Sequence, residues 1–119
     1  MKITEIASRL IELCLKGEFE AAQTELYADD AISVEPYATP AFEKETHGLQ
    51  GIYEKGRKFD GMVEKYHSLE CSAPLFAESS FAITMSMDVT MKGMDRMKYT
   101  EICVYEVKNG KIVAERFFM

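Results

Sequence analysis

The sequence predicts an α+β fold, with helices packed on one face of a curved, mixed and mostly antiparallel sheet. Three observations carry that class. Apolar residues recur at helical spacing through the first part of the chain, and from Val63 onward the period drops to two. Asn109-Gly110 stands between two runs rich in Ile, Val, Tyr and Phe, the strongest short-range signal of a hairpin. The order that results is two helices, a strand, a helix and then four antiparallel strands, and a two-layer packing is its natural solution.

Thr4 is the expected N-cap of a first helix carrying Ile6, Ala7, Leu10, Leu13 and Cys14 on one face, closed by Gly17. A shorter helix begins at Glu18, with Phe19, Ala22 and Leu26 as its stripe, and the brief Lys16-Gly17 link makes the two helices neighbours. Asp29-Asp30 ends this pair and opens a short strand, Ala31–Glu35, stopped by Pro36. Pro36 to His47 has two prolines and no periodicity, which is a loop of the length that tends to cover a site. A third helix, about Leu49 to Phe59, buries Leu49, Ile52 and Phe59; Lys55, Arg57 and Lys58 read as its basic C-terminal end. Gly51 and Gly56 weaken that helix, so close packing is expected at both. Strands follow at Glu64–Ser72, Phe81–Met91 and Met97–Val107, with turns at Ala77–Ser80 and Lys92–Asp95. The last strand lies beyond Asn109-Gly110.

The chain of 119 residues fits one domain, residues 1–119, and its 47% hydrophobic content is enough for a core. The net charge of −6 and the lack of a basic stripe argue against nucleic-acid binding. Three widely spaced cysteines make neither a disulfide framework nor a metal-ligand spacing, so neither metal nor cofactor is expected. No apolar run is long enough to span a bilayer, and Met1-Lys2-Ile3 leads directly into an amphipathic helix. The expected compartment is the cytoplasm.

On the first strand of the final hairpin, Tyr99, Glu101, Cys103 and Tyr105 share a face; on the second, Val113, Glu115, Phe117 and Met119 do. Glu101 and Glu115 are each the single acid on a largely apolar face. A tight two-residue turn puts them on opposite sides of the sheet, whereas one extra residue at a bulge brings them together. Two carboxylates in one cavity push their pKa values apart, giving an acid and a base. The alternative is a surface pairing with Lys98, Lys111 or Arg116. His67, on a strand, is a candidate proton shuttle or a hydrogen-bonded structural histidine. Tyr27, Tyr53, Phe59, Met85 and Met87 are candidates for an apolar cavity wall, alongside ordinary core packing.

Leu26-Tyr27-Ala28-Asp29-Asp30-Ala31, the Glu35-Pro36 that follows, Gly48-Leu49-Gln50-Gly51-Ile52, His67-Ser68, Asp88-Val89-Thr90 and the run Asn109 to Phe118 are spread over nearly the whole chain. With the element order, they resemble the cone-shaped α+β fold of the nuclear transport factor 2-like superfamily, in its SnoaL-like branch. The resemblance implies three helices on the concave face of the sheet, a pocket between them for a hydrophobic small molecule, and a homodimer through the outer sheet face. It implies Glu35 in the place of a carboxylate base, and Glu115 and Phe117 on the pocket wall. Leu10 and Cys103 stand where a ketosteroid isomerase has its oxyanion tyrosine and protonated aspartate, so that activity is not expected. The strict pattern, in contrast, points Ile32 and Val34 inward and Glu35 to solvent. The function implied is a cofactor-free isomerase, cyclase or dehydratase, or else a non-catalytic small-molecule binder or a dimeric interaction module, with Glu35, His67, Glu101 and Glu115 as its polar candidates.

Overall fold

A computed structural model describes all 119 residues. α1, Ile3–Leu15, buries the expected stripe of Ile6, Ala7, Leu10, Leu13 and Cys14. It starts one residue before Thr4, because the Glu5 side chain reaches back to accept the Lys2 backbone N–H at 2.9 Å and caps that end instead. At the other end Gly17, at φ 73°, turns the chain so that the Glu18 N–H meets the Leu13 carbonyl. α2, Phe19–Leu26, follows and packs Ala22 and Leu26 into the core.

β1, Tyr27–Val34, begins as soon as α2 ends, earlier than the sequence pattern suggests. Tyr27 pairs with Ile112 in parallel, and Asp29-Asp30 lie in a register break between that pair and Ile32↔Ala114. A strand interrupted in this way hides its start from a period-two reading. Part of the expected loop is also strand: β2, Glu45–His47, pairs antiparallel with β1. α3, Leu49–Met62, runs a turn further than expected, and β3, Val63–Cys71, starts at its end. Gly51 packs closely where α3 crosses β2, since a Cβ there would stand 3.0 Å from the Thr46 methyl, but Gly56 faces open space.

The remaining strands are β4, Leu75–Phe76; β5, Ser80–Met91; β6, Arg96–Lys108; and β7, Lys111–Phe118. The sheet runs β2-β1-β7-β6-β5-β3 with β4 on β5, and β1 against β7 is its one parallel pair. Bulges in β3 and β7 curve it. Phe81, Ile83, Met85, Met87 and Val89 line the concave side of β5 at 0–7% exposure and meet the helices there. Each such side chain contributes roughly 1.5–3 kcal/mol of burial. No helix is long and apolar enough to cross a membrane.

The final hairpin is closed by Asn109 at φ 53° and Gly110 at φ 74°, the left-handed pair that matches strand twist. A Cβ on Gly110 would also stand 3.0 Å from the Met1 nitrogen. Gly110→Ala is therefore expected to cost about 1–2 kcal/mol, seen as a lower urea midpoint at unchanged slope. An unchanged midpoint would show that the turn tolerates a side chain.

Two residues beyond the turn the ladder shifts. Val107 pairs with Ile112 but Glu106 pairs with Ala114, leaving Val113 as the extra residue. Tyr105 then faces Glu115 and Cys103 faces Phe117. The bulge thereby puts Glu115 on the same face as Glu101.

Candidate functional site

The helices do not fill the concave face at its β1–β7–β6 end. They leave a cavity of about 310 Å³, near the small end of ligand-sized pockets. Its walls are chiefly apolar and aromatic, with Leu10 and Phe59 from the helices, Met85 and Met87 from β5, and Tyr99 and Phe117 from β6 and β7. Glu20, Glu35, Lys55, Asp60, Glu101 and Glu115 are its charged lining groups, and Glu35, Lys55, Glu101 and Glu115 are the ones that interact with one another.

Glu115 is only 4% exposed, yet both its oxygens are satisfied. The Tyr27 hydroxyl donates to Oε1 and the Ser33 hydroxyl donates to Oε2 at 2.5 Å. Lys55 Nζ in turn donates to Ser33 Oγ and stands 3.3 Å from Glu35 Oε1. An ammonium accepts nothing, so the Ser33 proton must go to Glu115, and the Tyr27 proton has no other acceptor. In this arrangement Glu115 receives on both oxygens, as a carboxylate does. Burial pushes its carboxyl upward; Lys55, Ser33 and Tyr27 oppose that shift. The Tyr27 hydroxyl is held well above its ordinary range by burial and by the adjacent carboxylate, and remains a donor.

Glu101 has a different environment. Its side-chain hydrogen-bond partner is the Cys103 thiol, a weak donor, with Sγ 3.9 Å from Oε1. Burial, then the like charges of Glu35 and Glu115, lift its carboxyl to about 7. Burial and Glu101 together push the Cys103 thiol upward as well, so that thiol is a neutral group. Neither hairpin glutamate makes a surface ion pair; Arg116 faces Glu106, and Lys111 donates to the Glu25 carbonyl.

The sequence candidates fall into three sets. Glu35, Glu101 and Glu115 come together at the cavity, with Tyr27, Phe59, Met85, Met87, Tyr99, Phe117 and Met119 on its wall. Glu35 turns inward because β1 presents Ala31 and Ser33 to the interior, both fully buried, while Ile32 and Val34 face the other side. The strict apolar pattern is thus inverted. Cys103 is buried behind Glu101 and does not reach the cavity.

His67 and Tyr53 lie elsewhere. The bulge at His67 turns its ring to the outer face, where Nε2 is 2.7 Å from Thr90 Oγ1, on the side occupied by the Asp88–Arg96 pair. Tyr53 points along α3 toward α2, with its hydroxyl 2.9 Å from Thr24 Oγ1 and Arg57 over its ring.

Lys55 and Ser33 are not among the sequence candidates. Lys55 is in the middle of α3 rather than at its end, and it lies three residues after Ile52 and four before Phe59. A lysine inside an apolar stripe is the signal that marks it. Ser33 shares a strand face with Ala31 and Glu35, a small-to-polar series that marks an interior polar wall.

A family model described as a SnoaL-like domain matches residues 1–119. Among solved structures, a protein from Mesorhizobium loti, provisionally classed as a SnoaL-like polyketide cyclase, is 32% identical with a TM-score of 0.89, covering 100% of both chains. A protein of unknown function with a cystatin-like fold from Xanthomonas campestris is 19% identical, with a TM-score of 0.85 over 99% of this chain and 90% of that one. A ketosteroid isomerase-like fold from Catenulispora acidiphila, in complex with trimethylamine, is 16% identical, with a TM-score of 0.77 over 99% and 87% of the two chains. No curated protein matches the chain.

Proposed function

The chain belongs to the SnoaL-like domain family, within the nuclear transport factor 2-like superfamily, and on that premise we propose that its cavity binds a small apolar molecule and moves a proton on it through Glu101. The observation that carries this reading is Glu101 itself. It is a carboxyl on the wall of an apolar cavity, without a cationic or hydroxyl partner, lifted to about 7. An acid–base group is most effective when its pKa is near the working pH, and here burial and like charge bring a glutamate there. The substrate class that fits is a carbonyl compound with an acidic C–H, and the reaction an isomerisation, aldol-type cyclisation or dehydration that needs only proton transfer. Glu115, by contrast, is occupied by Tyr27 and Ser33 and holds the wall in place.

The experiment follows hydrogen–deuterium exchange by NMR at the acidic carbon of small aryl ketones and β-dicarbonyls in deuterium oxide. Exchange by the native protein is expected to rise with pH to a plateau above about 7, as Glu101 loses its proton. Exchange no faster with the native protein than with Glu101→Gln would refute the proposal.

A further inference from the structure

We infer that Lys55 is the oxyanion donor of this cavity, its remaining N–H receiving the carbonyl oxygen of an enolisable substrate as negative charge develops there. The inference rests on the proton-transfer reading of Glu101. Its own basis is the geometry of the lysine. The Lys55 side chain is 15% exposed and belongs to the apolar stripe of α3, where an ammonium is costly unless it is paired. An ammonium has three N–H donors. Ser33 Oγ takes one and Glu35 Oε1, at 3.3 Å, takes a second. The third has no oxygen or nitrogen acceptor in the protein, and Lys55 lines the cavity, where Nζ stands over the Phe117 ring at 5.5 Å from its centre, a weaker cation–π contact.

The direction of the hydrogen bonds keeps that donor in place. Ser33 gives its proton to Glu115, which Tyr27 holds from the other side, so Ser33 can only accept from Lys55. The ammonium is tied at two points, by Ser33 of β1 and by Glu35 just beyond it, before any ligand arrives, and such preorganised charge is the efficient form of transition-state stabilisation. Several other groups on the wall are weaker donors or already used. Leu10 has none, the Cys103 thiol is poor, and the Tyr27 hydroxyl is bound to Glu115. Tyr99 is the competitor, since its hydroxyl rests on the Met87 sulfur at 3.1 Å, a weak acceptor it can leave.

The step balances without a co-reactant. The substrate C–H bond breaks, its proton goes to the Glu101 carboxylate, and its electron pair becomes an enolate on the carbonyl oxygen. One negative charge thus leaves Glu101 and arrives beside Lys55. Return of the proton from Glu101 to a different carbon completes an isomerisation.

A phenolate carries its charge as an enolate does, on an oxygen attached to trigonal carbon, so para-nitrophenol is the probe and para-nitroanisole its neutral control. Binding of the anisole, measured by thermal shift, tests the cavity reading separately. The absorbance of the bound phenol then reports its ionisation, on the acidic side of the Glu101 transition, where Glu101 holds a proton as in the intermediate. The native protein is expected to prefer the phenolate about tenfold over the neutral phenol, Lys55→Arg to keep part of that preference, and Lys55→Met to reverse it. If Lys55→Met does not fold, the native spectrum and Lys55→Arg decide. Anisole binding with the phenol bound in its neutral form overturns the Lys55 assignment and leaves the cavity reading standing. Loss of the phenolate preference in Tyr99→Phe, with Lys55→Met retaining it, transfers the role to Tyr99 and also overturns it. Failure of both probes to bind removes the two readings together.

Discussion

Glu115→Ala is expected to destabilise the fold by about 3–5 kcal/mol, the range for removing one member of a buried charged network. The glutamate is 4% exposed and is the shared acceptor of Tyr27 and Ser33, so its loss leaves two buried hydroxyls with nothing to receive their protons. It also removes the anion that Lys55 reaches through Ser33, and it opens space at the junction of β1 and β7. That junction is the parallel pair joining the β1–β2 corner to the rest of the sheet. Glu115→Gln keeps the shape and one acceptor oxygen and should cost less, about 1–3 kcal/mol. If the network acts as a unit, the combined Glu115→Gln and Lys55→Met variant costs less than the two singles added together. Chemical denaturation of the native protein and these four variants measures all of this. A Glu115→Ala loss under about 1 kcal/mol would mean that water reaches these hydroxyls and that the network does not hold the wall.

The same network explains how far the sequence could be read. The helical stripes, the long half-buried strand from Phe81 and the Asn109-Gly110 turn follow from local periodicity and turn chemistry, which act on neighbouring residues. The bulge at Val113 does not. Ile112 and Val113, adjacent and both apolar, fit either register. The whole orientation of Glu115 depends on that one residue. β1 is a related case. Ile32 and Val34 look like the buried face of a strand, yet Ser33 is the residue at 0% exposure, because Glu115 and Lys55 supply its partners from 82 and 22 residues away in the chain. A buried polar side chain is legible only with its partners. Lys55 is obscured for another reason: the neighbouring Arg57 and Lys58 make it look like part of a basic helix end, whereas α3 continues to Met62. His67 misleads through a bulge, which turns an alternating position outward.

Glu101→Gln is expected to change stability and chemistry in opposite directions. In the folded protein Glu101 keeps its proton to about 7, whereas an unperturbed glutamate near 4.5 loses it earlier. Between those two values the native state therefore binds more protons than the unfolded state, and stability must fall as pH rises. The loss is complete above about 7 and absent below 4.5. One pKa unit corresponds to about 1.4 kcal/mol, and screening at a part-exposed carboxyl reduces the total to the order of 2 kcal/mol. Glutamine never ionises. The variant should match the native protein at pH 4, exceed it by about 2 kcal/mol at pH 8, and show a flatter stability profile between. Its catalysed exchange should fall by roughly 10²–10⁴, the usual contribution of a general acid–base group. Urea titrations at several pH values and the exchange assay together make the test sharp. A variant more stable at pH 8 but equally fast in exchange would keep the buried carboxyl and remove it from the chemistry. A variant that lost activity along with stability would show that the substitution had disturbed the wall rather than a proton transfer. Gain of stability with loss of exchange is the pair of results that a strained, functional carboxyl produces.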